Sequence, residues 1–313
     1  MARSRLSRGG LTAPRRWYRA LTMTTDVSDA SGLRRTDDPS VLVDLARYPV
    51  CEPGSHAYTA CVDAARAQLR ATGAAELPGF VSPAGVETLA RDADALAPRA
   101  HPSGGQGTAY LEFPDFTLPE DHPRLHFADY AVRAVAYDIV PLGSPLRRLY
   151  EWDPLKDLVE AILERGPIFR YADPFGALNL AVMGEKDRLQ WHFDQTDFVV
   201  SLAIQSAESG GDFEVVSRIR SAHDEHYDDV AAVLAGDRSR VETLPMRPGT
   251  LLVFEGRYSL HRVSPVAGRR WRHVGLLAYD TKPGTMGSDL LRADRYGRTE
   301  PFVRPPESWP AGV

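Results

Sequence analysis

The sequence has 313 residues, of which 43% are hydrophobic and 25% charged, and its formal net charge is −5. This composition is typical of a globular protein, and the acidic balance argues against a general nucleic-acid binder. No apolar run is long enough to cross a membrane, and the two cysteines, Cys51 and Cys61, suffice for neither a disulfide framework nor a thiolate metal cluster. We therefore expect a cytoplasmic protein with no nucleic-acid or membrane partner.

Residues 1–36 differ in composition from the rest of the chain. Six arginines and no acidic residue occur in the first 19 positions, without the apolar stretch of a secretory signal. We expect a disordered or mis-assigned leader that carries no catalytic residue. A mitochondrial-type presequence and a true translation start at Met23 are the alternatives.

Residues 37–165 predict a mainly helical N-terminal region. Ser55 is placed to cap a helix that Gly73 closes, and Ser82 and Asp153 each precede a proline at a helix start. The helix after Asp153 has an apolar stripe at helical spacing, formed by Leu155, Leu158, Val159 and Ile162. We expect these helices to pack against one face of a β core.

Residues 166–283 predict that β core. Short runs rich in β-branched and aromatic residues alternate with Gly, Pro and Asp, a pattern typical of a jelly roll or barrel. The predicted strands lie in 177–183, 197–204, 210–216, 248–254, 258–263 and 270–279. The expected fold class is mainly β with helical additions (α+β), with N-terminal helices packed on the core.

Three segments are expected outside these regular elements. Residues 101–126 are rich in Pro, Gly and Asp and predict an ordered loop or a flexible lid. Residues 218–240 predict an insertion between core strands, either covering the site or solvated. Residues 284–313 form a C-terminal tail in this interpretation.

A candidate metal site is formed by His192, Asp194 and His261. His192 and Asp194 are two positions apart, so on an extended strand both side chains point to one face. Two imidazoles and one carboxylate bind one face of Fe(II) and leave three positions open. The competing interpretation is a structural histidine pair beside a turn aspartate, which the surrounding predicted strands disfavour.

Arginines downstream of His261 are candidates for binding an anion. Arg270 and Arg272 are two apart, so strand periodicity alone does not separate them. A guanidinium matches a carboxylate in a two-pronged geometry that lysine lacks. Asn179, in the strand before the metal motif, is either a ligand-binding amide or a buried structural one.

Several motifs resemble a known family. The sequences WHFD, SGGDFEVV and PGTLLVFEGRYSLHRVSPVAGRRW, within about 167–280, resemble the Fe(II)/2-oxoglutarate-dependent oxygenases, whose core is a double-stranded β-helix. The resemblance implies Fe(II), 2-oxoglutarate and O2 as cofactor and cosubstrates. It also implies His192, Asp194 and His261 as iron ligands, with Arg270 pairing with the far carboxylate of 2-oxoglutarate.

The stretches SPLRRLYEWDPLKDLVEAILERG and YADPFGALNL resemble one branch of that superfamily. This branch contains free-amino-acid hydroxylases and radical halogenases, lysine halogenases included. In the halogenases a small residue replaces the carboxylate and chloride takes its place on iron. Because this chain keeps Asp194, the resemblance implies hydroxylation.

The main hypothesis is therefore a hydroxylase of a small polar metabolite, namely a free amino acid such as lysine, acting as a monomer or weak homodimer. The first alternative is halogenation, desaturation or ring formation on the same scaffold. The second is a metal-binding jelly roll without turnover, which would need no arginine for 2-oxoglutarate.

Overall fold

The computed structural model of the protein describes residues 37–302, so the expected leader lies outside the described residues. The α-helices are α1 (His56–Thr72), α2 (Pro83–Leu96), α3 (Pro145–Glu151), α4 (Asp153–Leu163), α5 (Tyr227–Leu234) and α6 (Asp289–Tyr296). Short 3-10 helices span Pro39–Leu42, Ala97–Arg99, Pro123–Leu125 and Tyr137–Ile139. No helix in this part of the chain has the length and apolar character that a bilayer crossing requires.

Two of the three predicted N-terminal helix caps are present in the structure. Ser55 accepts a hydrogen bond from the Tyr58 amide at the start of α1, and Gly73 ends that helix with a φ of 74°. Ser82 caps α2 in the same way. At α4 the prediction was wrong by one residue: Trp152 is the cap, and the Asp153 carboxylate instead pairs with Arg170 at 2.9 Å.

Two antiparallel sheets form the core. The strands are β1 (Ala74–Leu77), β2 (His101–Thr108), β3 (Phe127–Val135), β4 (Phe169–Arg170), β5 (Leu178–Met183), β6 (Leu189–His192), β7 (Val199–Gln205), β8 (Ser209–Gly210), β9 (Phe213–Val216), β10 (Glu242–Leu244), β11 (Leu251–Phe254), β12 (Leu260–Val263), β13 (Val266–Ala267), β14 (Arg272–Leu277) and β15 (Tyr279–Asp280). The larger sheet has the order β1-β11-β7-β14-β5-β3-β2, and the smaller one β10-β9-β12-β6. This is the α+β arrangement expected of a double-stranded β-helix.

The N-terminal region contributes strands as well as helices. β1 pairs with β11, and β3 pairs with both β5 and β2. The prediction of a loop or lid over 101–126 is therefore wrong for its first third, which is β2. The glycines that suggested a loop allow close packing here, since a Cβ on Gly104 would lie 3.1 Å from the carbonyl oxygen of Tyr130.

Helices α1, α2, α3 and α4 cover the outer face of the larger sheet. The apolar stripe of α4 is fully buried in one cluster with Leu180 and Val182 of β5 and Leu202 of β7. Full burial of each such side chain contributes about 1.5–3 kcal/mol. The inner face is thereby left for the functional site, because the opposite residues of β5, β7 and β14 point toward the smaller sheet.

The predicted insertion packs behind the strand that carries the metal motif. Val230 and Val233 of α5 are buried against Phe193, which lies between the two candidate ligands of that motif. The guanidinium of Arg220 lies 3.9 Å from the centre of the Phe193 ring. The insertion therefore supports the site from behind.

Candidate metal centre and cosubstrate pocket

The strands of the smaller sheet bring the two candidate histidine ligands side by side. His192 ends β6 and is the register partner of His261 in β12. Their ring centres are 4.2 Å apart. Because β12 lies between β9 and β6 in the sheet, residues 69 positions apart in sequence meet on one surface.

Backbone carbonyls fix the tautomer of both imidazoles. His192 Nδ1 lies 2.8 Å from the Gln190 carbonyl oxygen, and His261 Nδ1 lies 2.9 Å from that of Ser259. A carbonyl only accepts, so each Nδ1 carries the proton and each Nε2 keeps its lone pair. Burial lowers the pKa of both rings to about 4, so they are neutral at physiological pH. Both Nε2 atoms are thus prepared to bind a cation.

Asp194 completes the cluster just beyond the end of β6. Its Oδ1 lies 3.9 Å from His192 Nε2, and its Oδ2 lies 3.5 Å from His261 Nε2. Oδ2 is buried and has no hydrogen-bond partner among residues 37–302. Burial raises the pKa of this carboxyl group, with His192 opposing the shift. An orphaned buried oxygen facing two imidazole lone pairs is costly without a cation.

These observations fit the donor set of a non-haem Fe(II) centre. One ligand atom from each of the three residues lies within 4.8 Å of the others. Two neutral imidazoles and one carboxylate on one side match the two-histidine, one-carboxylate arrangement. The rings of Phe213 and Phe254 pack 5.5 and 4.9 Å from the His261 ring and shield this side from water.

Gly256 is a residue of this site that the sequence analysis missed. Its carbonyl accepts the Asp194 amide at 3.1 Å, and a Cβ at this position would lie 1.7 Å from Asp194 Oδ2. Only glycine therefore leaves room for the carboxylate in its observed position. The sequence signal was weak, because a glycine after a strand usually indicates only a turn.

We expect Gly256→Ala to weaken Fe(II) binding by about 10- to 100-fold, the range typical when a ligand loses its proper orientation. The added methyl group must displace the Asp194 carboxylate. Anaerobic Fe(II) titration measures the effect, with Gly143→Ala as the matched control because a Cβ there meets nothing within 4 Å. Unchanged affinity in Gly256→Ala would show that the carboxylate position does not matter for the metal.

Arg270 and Arg272 lie in very different surroundings. Arg270 is exposed in the turn before β14, and its guanidinium donates to the carbonyls of Ser206 and Ala207. Arg272 is 7% exposed and begins β14. The strand was predicted to begin at Arg270, but Glu208 accepts the Arg270 amide and holds this residue in the turn. Strand periodicity therefore does not relate the two arginines.

Arg272 lines a cavity between the two sheets. The cavity has a volume of about 270 Å³, and its lining includes Ala203, Gln205, Phe213, Met246, Arg272 and Val274. Burial lowers the pKa of Arg272 to about 10, so the side chain remains charged at neutral pH. Within the described residues, its guanidinium donates to the sulfur of Met183 at 3.7 Å. Phe213, one of the lining residues, also packs on His261, so a single side chain contacts both the cavity and the metal cluster.

Asn179 is buried on the inner face of β5 and belongs to a different part of the site. Its amide nitrogen donates to the Tyr296 hydroxyl at 2.8 Å, while its Oδ1 is buried without a partner among residues 37–302. Tyr296 belongs to α6, which lies in the segment predicted as a tail. The sequence pattern of this segment does not indicate a helix, yet α6 contacts the inner face of the larger sheet through Tyr296 and Asn179.

Three acidic residues that a cationic substrate would need as partners, Asp173, Asp197 and Glu214, are already paired within the protein. Asp173 accepts the amides of Phe175 and Gly287, and Asp197 pairs with Arg257. Glu214 pairs with two arginines, Arg238 and Arg262. Their carboxylates are held by the protein itself and serve the fold.

The chain matches the model of one protein family. The model of the family HalD: Halogenase D matches residues 114–287, more than half of the sequence. The chain belongs to the Halogenase D family. It is thus an Fe(II)/2-oxoglutarate-dependent oxygenase, with Fe(II) and 2-oxoglutarate as the cofactor and cosubstrate typical of such proteins and a small molecule as substrate. No curated protein matches the chain.

Solved structures similar to this Halogenase D family member include several oxygenases. AviO1 from Streptomyces viridochromogenes Tue57 is 19% identical, with 71% of this chain and 96% of that chain covered and a TM-score of 0.49. An oxidoreductase of the 2OG-Fe(II) oxygenase family from Burkholderia pseudomallei is 17% identical, with coverage of 74% and 94% and a TM-score of 0.45. A Pseudomonas putida prolyl-4-hydroxylase is 13% identical, with coverage of 69% and 96% and a TM-score of 0.42.

Proposed function

We propose that the protein hydroxylates an unactivated C–H bond of a small polar metabolite, with His192, Asp194 and His261 holding Fe(II). The supporting observation is the set of donor atoms. Both Nε2 lone pairs face a partly buried carboxylate whose buried Oδ2 has no partner among residues 37–302. Iron bound there, with 2-oxoglutarate and O2, supplies an oxidant able to remove hydrogen from such a bond, while 2-oxoglutarate becomes succinate and CO2.

Other residues of the chain position the cosubstrate and exclude water. Arg272 binds the far carboxylate of 2-oxoglutarate, because it is buried and charged and lines a cavity whose wall includes Phe213, a residue that packs on His261. Phe213 and Phe254 keep bulk water from the His261 side of the metal. The Gln190 and Ser259 carbonyls hold both imidazoles in the metal-binding tautomer.

The reaction outcome depends on Asp194. A carboxylate in the ligand cluster occupies the position that chloride needs, which favours hydroxylation. Membership of the Halogenase D family favours the alternative, halogenation, and supports it better than it supports hydroxylation. The two outcomes differ in the product, so one assay separates them.

A free amino acid is the proposed substrate class, on the basis of the resemblance of SPLRRLYEWDPLKDLVEAILERG and YADPFGALNL to amino-acid-modifying oxygenases. A basic amino acid such as lysine is the first candidate. No observation on Asp173, Asp197 or Glu214 supports a cationic side chain, since all three carboxylates are paired.

Succinate release tests this function. Protein reconstituted anaerobically with Fe(II) receives 2-oxoglutarate, chloride, one free amino acid from a panel, and then O2. We expect one member to stimulate succinate release and to gain one oxygen atom. A chlorinated product would establish the alternative instead. Absence of succinate from iron-loaded protein with every member would contradict the proposed substrate class.

A further inference from the structure

Asp194, the carboxylate of the metal cluster, lies in a segment without regular secondary structure. Residues 193–198 follow β6 and precede β7, and they belong to no helix or strand. The ladder of hydrogen bonds that fixes a strand therefore does not extend to this ligand. Other contacts must hold its Oδ1 at 3.9 Å from His192 Nε2 and its Oδ2 at 3.5 Å from His261 Nε2.

The loop between β11 and β12, residues 255–259, contacts two of the three proposed metal ligands. The carbonyl of Gly256 accepts the Asp194 amide at 3.1 Å. The carbonyl of Ser259 lies 2.9 Å from Nδ1 of His261. The position of this loop therefore affects both the backbone of Asp194 and the ring of His261.

Glu255 anchors the start of this loop to other parts of the protein. Its amide donates to the carbonyl of Gly73, the residue that ends α1, at 2.8 Å. Its carboxylate, which is 13% exposed, pairs with Arg165 at 2.9 Å and with Arg218 at 2.7 Å. Arg218 in turn donates to the Leu69 carbonyl of α1 at 2.7 Å. These contacts fix the loop independently of the segment that carries Asp194.

Arg257 joins the segment of Asp194 to this anchored loop. Its Nε donates to Asp197 Oδ1 at 2.5 Å, and its terminal nitrogen Nη2 donates to the Gln195 carbonyl. Gly256, the preceding residue, binds the Asp194 amide. Two consecutive residues of the loop therefore bind residues 194, 195 and 197, which include the ligand and its next neighbour.

Arg165 links the same two segments a second time. Its Nη2 binds Glu255 Oε1 at 2.9 Å, and its Nη1 lies 3.7 Å from Asp197 Oδ2. Arg257 and Arg165 thus contact different oxygens of the Asp197 carboxylate. An isolated exposed ion pair contributes little to stability, whereas several charges joined in a network can hold a fixed geometry.

We infer that Arg257 is a positioning residue for the metal centre, because its contacts with Gln195 and Asp197 hold Asp194 at its distance from His261. This inference rests on the proposed function, since it concerns a ligand of the same metal site. Without the guanidinium, the link on the C-terminal side of Asp194 is weakened, and the carboxylate moves more freely relative to the imidazoles. The cost of ordering it is then added to metal binding.

Anaerobic calorimetric titration of the metal-free protein with Fe(II) tests this inference without turnover. We expect Arg257→Gln to raise the Kd for Fe(II) by about 10-fold, the lower end of the range typical of outer partners of metal ligands. The lower end is expected because Arg257 binds the neighbours of Asp194 and not its carboxylate. Arg257→Lys should recover part of the loss, since an ammonium can pair with Asp197 but lacks the fork that also reaches Gln195.

Arg240→Gln is the matched control for a general effect on stability. Arg240 pairs with Asp229 at 3.0 Å, and the exposures of these side chains, 51% and 55%, are similar to the 39% and 52% of Arg257 and Asp197. Arg240→Gln should leave the Kd for Fe(II) unchanged, and both metal-free variants should unfold at similar denaturant concentrations. A lowered unfolding midpoint in Arg257→Gln with an unchanged Kd would show a purely structural ion pair and overturn the inference.

Asp197→Asn tests whether Arg257 and Asp197 act together. This variant should also raise the Kd for Fe(II), because the amide cannot form the ion pair with Arg257. In the double variant the Kd should rise by less than the product of the two single effects, since both substitutions remove the same contact. Single effects that multiply in full would mean that the two residues act independently, which contradicts the inference.

The inference and the proposed function fail in different ways. A wild type that binds no Fe(II), or a His192→Ala variant that binds it equally well, contradicts the proposed metal site and the inference with it. A wild type that binds Fe(II) with the same Kd as Arg257→Gln contradicts the inference alone. If Arg257→Gln does not fold, Arg257→Lys and Asp197→Asn still decide the result.

Discussion

Replacing Asp194 with glycine is expected to abolish most hydroxylation. The variant loses one of three proposed ligands, so its activity should fall by more than the roughly 10- to 100-fold typical of losing an outer partner of a metal ligand. The substitution also removes a partly buried carboxylate and leaves a position at the cluster that chloride can fill. Succinate and product are measured with and without chloride, and we expect any chlorinated product only in this variant.

Asp194→Asn is the matched control for this experiment. It removes the negative charge but keeps the side chain in place, so it should lose hydroxylation without admitting chloride. Full hydroxylation by Asp194→Gly would remove Asp194 from the ligand set. Chlorination by the unmodified protein would mean that the family relationship outweighs the argument from the carboxylate.

The metal cluster was predictable because strand geometry constrains it. The two-residue spacing of His192 and Asp194 suggested a shared face, and the strands around His261 suggested a second element nearby. The structure brings the three side chains together, although Asp194 lies past the end of β6. Its position depends on Gly256, a contact across 62 residues that no local pattern indicates.

The choice between Arg270 and Arg272 was harder to predict from the sequence, because tertiary contacts decide where a strand begins. Periodicity ranked Arg270 and Arg272 equally only if both belonged to β14. Glu208 and the Ser206 and Ala207 carbonyls hold Arg270 outside that strand. These contacts come from a turn more than 60 residues earlier, so the sequence pattern around Arg270 contains no sign of them.

Two elements that the sequence pattern did not predict, β2 and α6, are stabilised by contacts with other elements and not by their own secondary-structure propensity. The glycine-rich β2 has little strand propensity, yet it aligns along all of its eight residues with β3. Helix α6 lies in a segment whose sequence resembles a tail. Its charged residues bind partners in β2, β3 and the loop before β5, and these distant contacts leave no local sequence pattern. β2 contacts β6, the strand that carries His192, and α6 packs on β2 and β3, so the unpredicted elements lie next to the strands that position the site.

Arg272→Gln is expected to raise the KM for 2-oxoglutarate by about 100-fold or more, as the loss of a buried charged partner typically does. The wild-type guanidinium is charged, 7% exposed and part of the cavity lining, so a glutamine there cannot replace the attraction for a carboxylate. Arg272→Lys should recover only part of the loss, because lysine lacks the paired donors. Initial rates of succinate release at varied 2-oxoglutarate measure both variants.

Arg270→Gln is the matched control, since it removes the same group from the surface two residues away. Its KM for 2-oxoglutarate should remain close to that of the wild type. 2-Oxobutyrate is a 2-oxo acid that lacks the far carboxylate. Wild type and Arg272→Gln should use it equally poorly, because the ion pair between Arg272 and the far carboxylate forms in neither case. A large KM effect in Arg270→Gln with none in Arg272→Gln would reverse the assignment and place the cosubstrate outside the cavity between the sheets.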